Sequence, residues 1–387
     1  MTIRALTPGD LAAHCRVSSM AFHWNCKLEE ETFPEGETLL GCFDGGELIA
    51  DLEYRVRQAT WGSTTLPLVC VGGVASLPQH RRQGAVRQLF AELERLAAQE
   101  GWAFGALYPF SDGYYRQFGY ERAARCLSLE VPMQALHDFA AGLPKEAGKA
   151  ELIEGPPPAE LLALYNTCAA ETPLMLRREP EHARWFHTKP LEDCRYCFLW
   201  RGPSGGAEGL VQLQVNRDIG SVEVGEFLFA SPAALRGMLR FLRGYASKAD
   251  KVHFHALPLH SPVPLLLNEH ARHKAHVSNG AALRIYDARQ ALAHFPYAGD
   301  GEFRFALEGD GAYHVAYQQG AAQVERAAGP APVTLTREAL VLLMCGHVRD
   351  MLALRCCPGV TVAEERGAER LLRAFGHAAG AMMLDGF

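Results

Sequence analysis

The pattern of apolar and polar residues is clearest between positions 85 and 100. Apolar residues recur there at the spacing of a single helical face: Val86, Leu89, Phe90, Leu93, Leu96 and Ala97. Gly101 follows directly, and glycine commonly ends helices. The segment therefore predicts an amphipathic helix with one side on a core.

The residues around this helix have the pattern of strands. Residues 2–6, 38–43, 47–56 and 66–77 are strand-like, and Asp44-Gly45-Gly46 joins two of these runs as a hairpin turn. Asp10 is placed to cap a helix that runs to about Phe22. A short apolar run at 102–107 suits a buried strand.

Two further sections follow the first. After Pro132, strand-like runs at 195–201, 209–215 and 221–229 precede a helical segment from about 232 to 247, which repeats the order of residues 40–100. From Arg284, hairpins over 302–326 precede a helix capped by Thr336. The predicted fold class is α+β with three domains, over residues 1–131, 132–283 and 284–387.

Composition excludes several classes of protein. The 387 residues suit two or three domains, and the net charge of -6 does not indicate a nucleic-acid partner. The N-terminal residues lack the pattern of a signal peptide, and no apolar run reaches the ~20 residues of a membrane span. Eleven scattered cysteines are typical of reduced thiols, so we expect a cytoplasmic protein without a membrane partner.

The strongest local signal for chemistry is the stretch from Val74 to Arg87, in which a strand, a basic glycine-containing loop and a long helix succeed one another. Unpaired N–H groups at a helix N-terminus can hold a diphosphate, and Gly84, Arg82 and Arg87 would assist. A surface turn is the other interpretation. The preceding Gly72-Gly73 predicts a bulge or the close approach of a ligand, with free N–H and C=O groups near Val74 and Ser76.

A second signal lies between Ser111 and Tyr120, directly after the 102–107 strand. A tyrosine there would lie beside a thioester sulfur, and a phenol of pKa ~10 is matched to a thiolate leaving group. The alternative is that these aromatic residues cover the edge of a core.

These residues carry a family resemblance. His-Arg-Arg-Gln-Gly at 80–84 and Tyr-Tyr-Arg-Gln-Phe-Gly-Tyr at 114–120 resemble the coenzyme A loop and tyrosine helix of GNAT acetyltransferases, above all the enhanced intracellular survival (Eis) family. The resemblance implies a catalytic GNAT domain, a degenerate second GNAT domain, a C-terminal domain like sterol carrier protein, and a homohexamer. It covers essentially the whole chain and is specific over 71–120.

The resemblance also implies the site. Tyr115 matches the family's general acid, and the α-carboxylate of Phe387 matches its base. Acetyl-coenzyme A (acetyl-CoA) would contact Val74, Ala75, Ser76, Arg82, Gln83, Gly84, Ala85, Val86, Arg87, Phe110 and Ser111. The implied reaction is acetyl transfer to a primary amine of a small cationic molecule or peptide, by direct attack in a ternary complex.

The carboxylate of Phe387 is a weak base in water, with a pKa near ~3.5, although burial would raise that pKa. The apolar tail 381–387 is compatible with packing inward, whereas the residues alone favour a frayed end, which is the usual state of a chain terminus. The family resemblance implies inward packing. Gly73 and Gly386 stand where the family has an aromatic and an acidic pocket residue, so Trp24 and Glu29–Glu31 are candidates for the substrate lining.

No metal is expected. Cys194 and Cys197 form a lone C-x-x-C, and the histidines between His253 and His276 match no common ligand pattern. Two alternatives to acetyl transfer stay open: transfer of a longer acyl chain, and a non-catalytic module that binds acyl-coenzyme A or lipid.

Overall fold

The computed structural model describes residues 1–25, 32–33, 36–136, 148–186, 194–267, 273–376 and 380–387, without the side chains of 183–185. The chain divides into two compact units. Unit 1 comprises residues 1–123, 281–378 and 386–387, and unit 2 comprises residues 124–280 and 379–385.

The regular elements agree closely with the sequence pattern in the first section of the chain. The described strands are β1 (Thr2–Ala5), β2 (Thr38–Asp44), β3 (Glu47–Trp61), β4 (Thr64–Ser76), β5 (Phe104–Leu107), β6 (Glu121–Arg122), β7 (Arg125–Pro132), β8 (Lys149–Leu152), β9 (Arg195–Arg201), β10 (Ala207–Asn216), β11 (Ser221–Phe229), β12 (Lys251–Leu257), β13 (Lys274–Asn279), β14 (Ala282–Ile285), β15 (Gly301–Leu307), β16 (Gly311–Gln318), β17 (Ala321–Ala327), β18 (Val333–Leu335) and β19 (Val360–Val362).

Helices alternate with these strands. The described α-helices are α1 (Leu11–Phe22), α2 (Ala85–Glu100), α3 (Asp112–Arg116), α4 (Ala159–Ala169), α5 (Pro232–Leu242), α6 (Ala288–Ala293), α7 (Arg337–Met344), α8 (Met351–Cys356) and α9 (Glu365–Phe375).

The larger sheet of unit 1 has the order β1-β2-β3-β4-β5-β14-β6. Strands β1 to β4 are antiparallel, and β4 and β5 are parallel because α2 connects them. Helix α2 buries Leu89, Phe90 and Leu93 against this sheet and ends at Gly101, whose φ is +70°. The predicted helix over 85–100 is therefore confirmed, and it connects β4 to β5.

A second sheet of unit 1 has the order β17-β16-β15-β18-β19, and α9 packs on β15. Strands β15, β16 and β17 are the predicted hairpins of the third section. The N-cap role predicted for Thr336 is confirmed, because its hydroxyl accepts a hydrogen bond from the N–H of Ala339 at 3.2 Å.

Unit 2 has one seven-stranded sheet, in the order β13-β7-β12-β11-β10-β9-β8. Strands β9, β10 and β11 are antiparallel, and β12 lies parallel to β11 after the connecting helix α5. This order repeats β2-β3-β4-α2-β5, as the duplicated pattern predicted. The helical segment predicted over 232–247 is an α-helix only to Leu242 and continues as a 3-10 helix over Arg243–Ser247.

Candidate active site

Strand β4 leaves part of one edge free at its C-terminal end. Its pairing with β5 runs from Leu68 to Val71, so in the described sheet residues 72–76 pair only with β3. Two parallel strands that separate in this way expose backbone N–H and C=O groups, which need partners. Val74, Ala75 and Ser76 lie on this edge, as the sequence predicted.

The register of β3 and β4 shifts between Asp51 and Glu53, and Gly73 has a φ of +55°. The predicted bulge at the glycine pair is therefore present. The group that approaches it closely is a side chain of the protein itself: a Cβ on Gly72 would lie 2.5 Å from Oε1 of Glu53.

Two acidic residues, the buried Asp51 and the half-buried Glu53, lie on β3 next to this bulge. Asp51 is fully buried, and its Oδ2 lies 2.8 Å from Nδ1 of His14 on α1, while its Oδ1 has no partner in the described part of the chain. Burial raises the pKa of the Asp51 carboxyl, against the effect of His14. Burial likewise raises the pKa of the Glu53 carboxyl.

The loop between β4 and α2 has the backbone that an anion-binding turn requires. Gly84, the N-cap of α2, has a φ of +89°, and Arg82 has a φ of +63°. The N–H of Gln88 donates to the carbonyl of Gly84 at 3.1 Å, which leaves the amides of the first helical turn without helical partners. Arg81 and Arg82 are exposed and pair with no residue that the structure describes.

A cavity of about 810 Å³ joins the free strand edge to this loop. That volume lies within the range of ligand pockets. The predicted residues that line it are Val74, Ala75, Ser76, Arg82, Gly84, Ala85, Val86, Arg87 and Phe110. Residues that the sequence analysis did not select also line it: Ala21, Phe22, His80, Arg81, Tyr114, Gln117 and Phe118.

Four predicted residues lie outside the cavity lining: Gln83, Ser111, Tyr115 and Phe387. Gln83 donates from Nε2 to the carbonyl of Gln79 at 3.2 Å within the loop. Ser111 is the N-cap of α3, where its hydroxyl accepts from the N–H of Tyr114 at 3.3 Å. Trp24 is exposed beside Phe22, and Glu29–Glu31 lie outside the described residues.

Tyr115 is buried within an aromatic cluster. Its ring lies 5.5 Å from that of Phe110 and 5.1 Å from that of Tyr114, both of which line the cavity. Burial, with a smaller effect of Tyr114, raises the pKa of Tyr115 to about 12. The phenol is therefore protonated throughout the neutral range. Its hydroxyl makes no hydrogen bond to any described residue.

Phe387 lies at the end of β5. Its ring packs on that of Tyr108 with centroids 5.2 Å apart, and Tyr108 is the first residue after β5. Phe110 and α3 follow within a few residues of the chain.

The segment before Phe387 is held in unit 2. Ala381, Met382 and Met383 are buried, which agrees with the predicted inward packing. Arg178, itself buried, donates from Nε to Oδ1 of Asp385 at 2.8 Å and from Nη2 to Oε1 of Glu226 at 2.6 Å. The guanidinium also lies 3.9 Å from the ring centroid of Tyr165.

The corresponding turn of unit 2 lacks the features of the β4–α2 loop. The hydroxyl of Ser231 caps α5 by accepting from the N–H of Ala234 at 3.0 Å, so a side chain of the protein occupies this helix start. Gly237 lies inside the helix against Trp200. This helix start offers no basic glycine turn to a phosphate group.

Comparison with known families agrees with this geometry. Residues 2–123 match one family model described as an acetyltransferase (GNAT) domain, and residues 174–285 match a second model with the same description. The chain carries two tandem GNAT domains. The cavity lies in the first of them, and the capped helix α5 lies in the second.

Curated relatives match over a limited region. The N-acetyltransferase Eis of Mycobacterium bovis is 36% identical over 92 residues, which is 24% of this chain and 23% of that protein. The match thus spans about a quarter of the relative's length. An uncharacterised N-acetyltransferase of Streptomyces avermitilis is 24% identical over 223 residues, 52% of each chain.

Solved structures share the fold of the GNAT domains and of the C-terminal sheet. Eis1 from Mycobacterium abscessus has a TM-score of 0.81 at 19% identity and covers 100% of both chains. A protein of unknown function from Enterococcus faecalis, titled a probable N-acyltransferase, has a TM-score of 0.86 at 17% identity and covers 100% of this chain and 99% of that chain.

Among the helices in the described ranges, none combines the length and the apolar composition that a transmembrane helix requires.

Proposed function

We propose that the first GNAT domain is an N-acetyltransferase, which transfers the acetyl group of acetyl-CoA to a primary amine of a small cationic molecule or peptide. The attack would be direct, with both substrates bound. The observation that carries this proposal is the single cavity that runs from the free edge of β4 to the uncapped N-terminus of α2. Acetyl-CoA would supply an activated thioester with a diphosphate at a distance from it.

The residues present fit such a ligand. The amides of Gly84, Ala85 and Val86, with the unpaired Arg82, would hold the diphosphate. The free edge of β4 from Val74 to Ser76 would hydrogen-bond the amide-bearing arm and orient the acyl carbonyl. These roles use the backbone, which explains why few polar side chains are needed there.

Two groups would move protons. Tyr115 would donate its phenolic proton to the departing sulfur, and the α-carboxylate of Phe387 would accept a proton from the amine. The contact between Phe387 and Tyr108 supports a position for this carboxylate at the end of β5.

The experiment is to measure thiol release from acetyl-CoA with a panel of polyamines, aminoglycosides and peptides, and without any amine as the control. Amine-dependent release is expected. Tight binding of acetyl-CoA without amine-dependent release from any acceptor would contradict the proposal and favour a binding module.

Transfer of a longer acyl chain is the alternative, because Phe22, Phe110 and Phe118 give the cavity an aromatic lining. Comparing acetyl-, butyryl- and palmitoyl-coenzyme A with the same acceptor decides between the two. Acetyl-CoA is expected to give the highest kcat/KM.

The resemblance to Eis proteins extends the proposal to the C-terminal section and the assembly. We infer that residues 284–387 form a domain like sterol carrier protein, with the sheet β15–β19 as its core, and that six chains assemble. Light scattering on the purified protein tests the hexamer. A cytoplasmic location is consistent with the free thiols found at every described cysteine.

A further inference from the structure

Three groups that commonly bind metal ions converge on one face of the sheet in unit 2. Strands β11 and β12 are parallel, with Glu223 in register with His253, and alternation along β12 places His255 on the same face as His253. Oε2 of Glu223 lies 3.1 Å from Nδ1 of His253 and 2.7 Å from Nε2 of His255. The three ligand atoms all lie within 4.8 Å of one another.

Hydrogen bonds hold the other ends of two of these groups. The hydroxyl of Ser128 on β7, which is buried, lies 2.9 Å from Nε2 of His253. Ser221 donates to Oε1 of Glu223. Nδ1 of His253 and Oε2 of Glu223 therefore remain available to bind an ion between them. Metal sites in proteins share this feature, because a hydrogen bond to the atom that does not bind the metal orients each ligand.

The carboxylate of Glu223 supplies an anionic ligand atom to the cluster. Glu130, across from His253 on β7, is already paired with Lys251 and with Lys274 at 3.1 Å. Half of the His255 side chain is exposed, which leaves a path from solvent.

We infer that Glu223, His253 and His255 form a binding site for a divalent first-row transition metal ion such as Zn²⁺, with water as the remaining ligand. Two imidazoles and one carboxylate are an established zinc donor set. At Zn–N and Zn–O distances of about 2.0–2.2 Å, tetrahedral ligand atoms lie roughly 3.3 Å apart. The separations of 3.1 Å and 2.7 Å from Oε2 of Glu223 differ from this value by roughly 0.2 Å and 0.6 Å.

Metal binding requires each histidine ring to carry its proton on the nitrogen that does not bind the ion. Without metal, Oε2 of Glu223 can only accept, so each ring must present an N–H to it. With metal, each ring offers a lone pair instead, and Ser128 can accept the proton that His253 then carries on Nε2.

The experiment uses the full chain without a histidine tag, stripped with a chelator and titrated with Zn²⁺ by calorimetry. A second titration with Co²⁺ reads the visible absorption of the bound ion. One ion per chain is expected, and His255→Ala should weaken the affinity by at least about tenfold. Ser128→Ala should weaken it by about tenfold through the hydrogen bond to His253.

His314→Ala is the matched control, because His314 is a partly exposed strand histidine paired at 3.2 Å with Glu302, outside the cluster. Its Zn²⁺ affinity should equal that of the wild type. Circular dichroism checks the fold, and Glu223→Gln replaces His255→Ala if that variant does not fold. Equal affinity of the wild type and the cluster variant, or an equal loss in the control, would overturn the inference. The outcome does not depend on acetyl transfer.

Discussion

Tyr114 and Tyr115 are consecutive residues of α3, yet only Tyr114 lines the cavity, and their rings meet at 87° with centroids 5.1 Å apart. Tyr115 lies behind it among Phe90, Phe118 and Tyr120. The two phenols are therefore separate candidates for the proton donor, and substitution of each one distinguishes them.

For Tyr115→Phe we predict a loss of kcat of roughly 10²-fold, because the variant lacks the proton donor while the aromatic packing remains. Affinity for acetyl-CoA should be kept. Tyr114→Phe is the paired control and should lose less than about tenfold. Steady-state kinetics with one amine measures both. A large loss in the Tyr114 variant together with a mild loss in the Tyr115 variant would transfer the acid role to Tyr114.

Arg82→Ala should raise KM for acetyl-CoA about tenfold and leave kcat nearly unchanged. Arg82 is without an ion-pair partner in the described structure, so its charge is free for a phosphate, and a hydrogen bond to a charged group contributes about 1.5–3 kcal/mol. Arg95→Ala on α2, where the arginine is paired with Glu92, is the control. Equal effects of the two substitutions would show that Arg82 acts only through the general charge of the surface.

Adding one glycine after Phe387 should lower kcat by about tenfold or more, because the extension moves the carboxylate that accepts the proton. Phe387→Ala keeps a terminal carboxylate and removes only the ring contact with Tyr108. It should therefore be the milder variant. The kcat values of the two variants, compared with wild type, test the base. Wild-type turnover in the extended chain would exclude this carboxylate as the base.

Arg178→Met should destabilise the protein by about 3–5 kcal/mol, because it removes the buried guanidinium that pairs with both Asp385 and Glu226. Thermal unfolding measures the loss, and hydrogen exchange should show lost protection at Met382, whose N–H donates to the carbonyl of Pro173 at 3.0 Å. The control is Arg177→Met, since that side chain is 56% exposed. Unchanged exchange at Met382 in Arg178→Met would mean that the tail is held by its apolar contacts alone.

The buried Asp51 makes stability depend on pH. Because burial raises its folded-state pKa, the folded protein binds this proton more tightly than the unfolded chain does. The protonated Asp51 carboxyl therefore contributes to the free energy of unfolding at pH values below the pKa of aspartate in the unfolded chain. This contribution is lost as the pH rises through the pKa of Asp51 in the folded protein. In Asp51→Asn this loss is removed, so Tm of the variant minus Tm of the wild type should be more positive at pH 7.5 than at pH 4. A Tm difference that becomes smaller as the pH rises would contradict the raised pKa of Asp51.

The elements of the first section could be predicted from local pattern. Helix α2 follows from apolar periodicity and Gly101, and β2 and β3 follow from alternation around Asp44-Gly45-Gly46. Strand β14 could not be found in this way, because Ala282 pairs with Leu107 from far along the chain and nothing in its four residues specifies that partner. The inclusion of β7 in the second sheet is similarly non-local.

The candidate site also combines features that the local sequence predicts with features that depend on packing. The loop at Gly84 was predictable, because a glycine before a helix indicates a turn with positive φ. The contact of Glu53 with Gly72 and the position of Phe22 in the cavity depend on how β3 and α1 pack. The sequence pattern did not select His253 and His255 as candidate ligands, because a spacing of two residues places them on one face only if the segment is a strand. Glu223 lies beside them through the parallel pairing of β11 and β12.

The most direct test of the proposed acetyl transfer is a crystal structure of the protein with bound coenzyme A. We predict that the diphosphate accepts hydrogen bonds from the amides of Gly84, Ala85 and Val86, and that the sulfur lies within hydrogen-bond distance of the Tyr115 hydroxyl. A diphosphate bound away from the α2 N-terminus, or a sulfur out of reach of Tyr115, would contradict it.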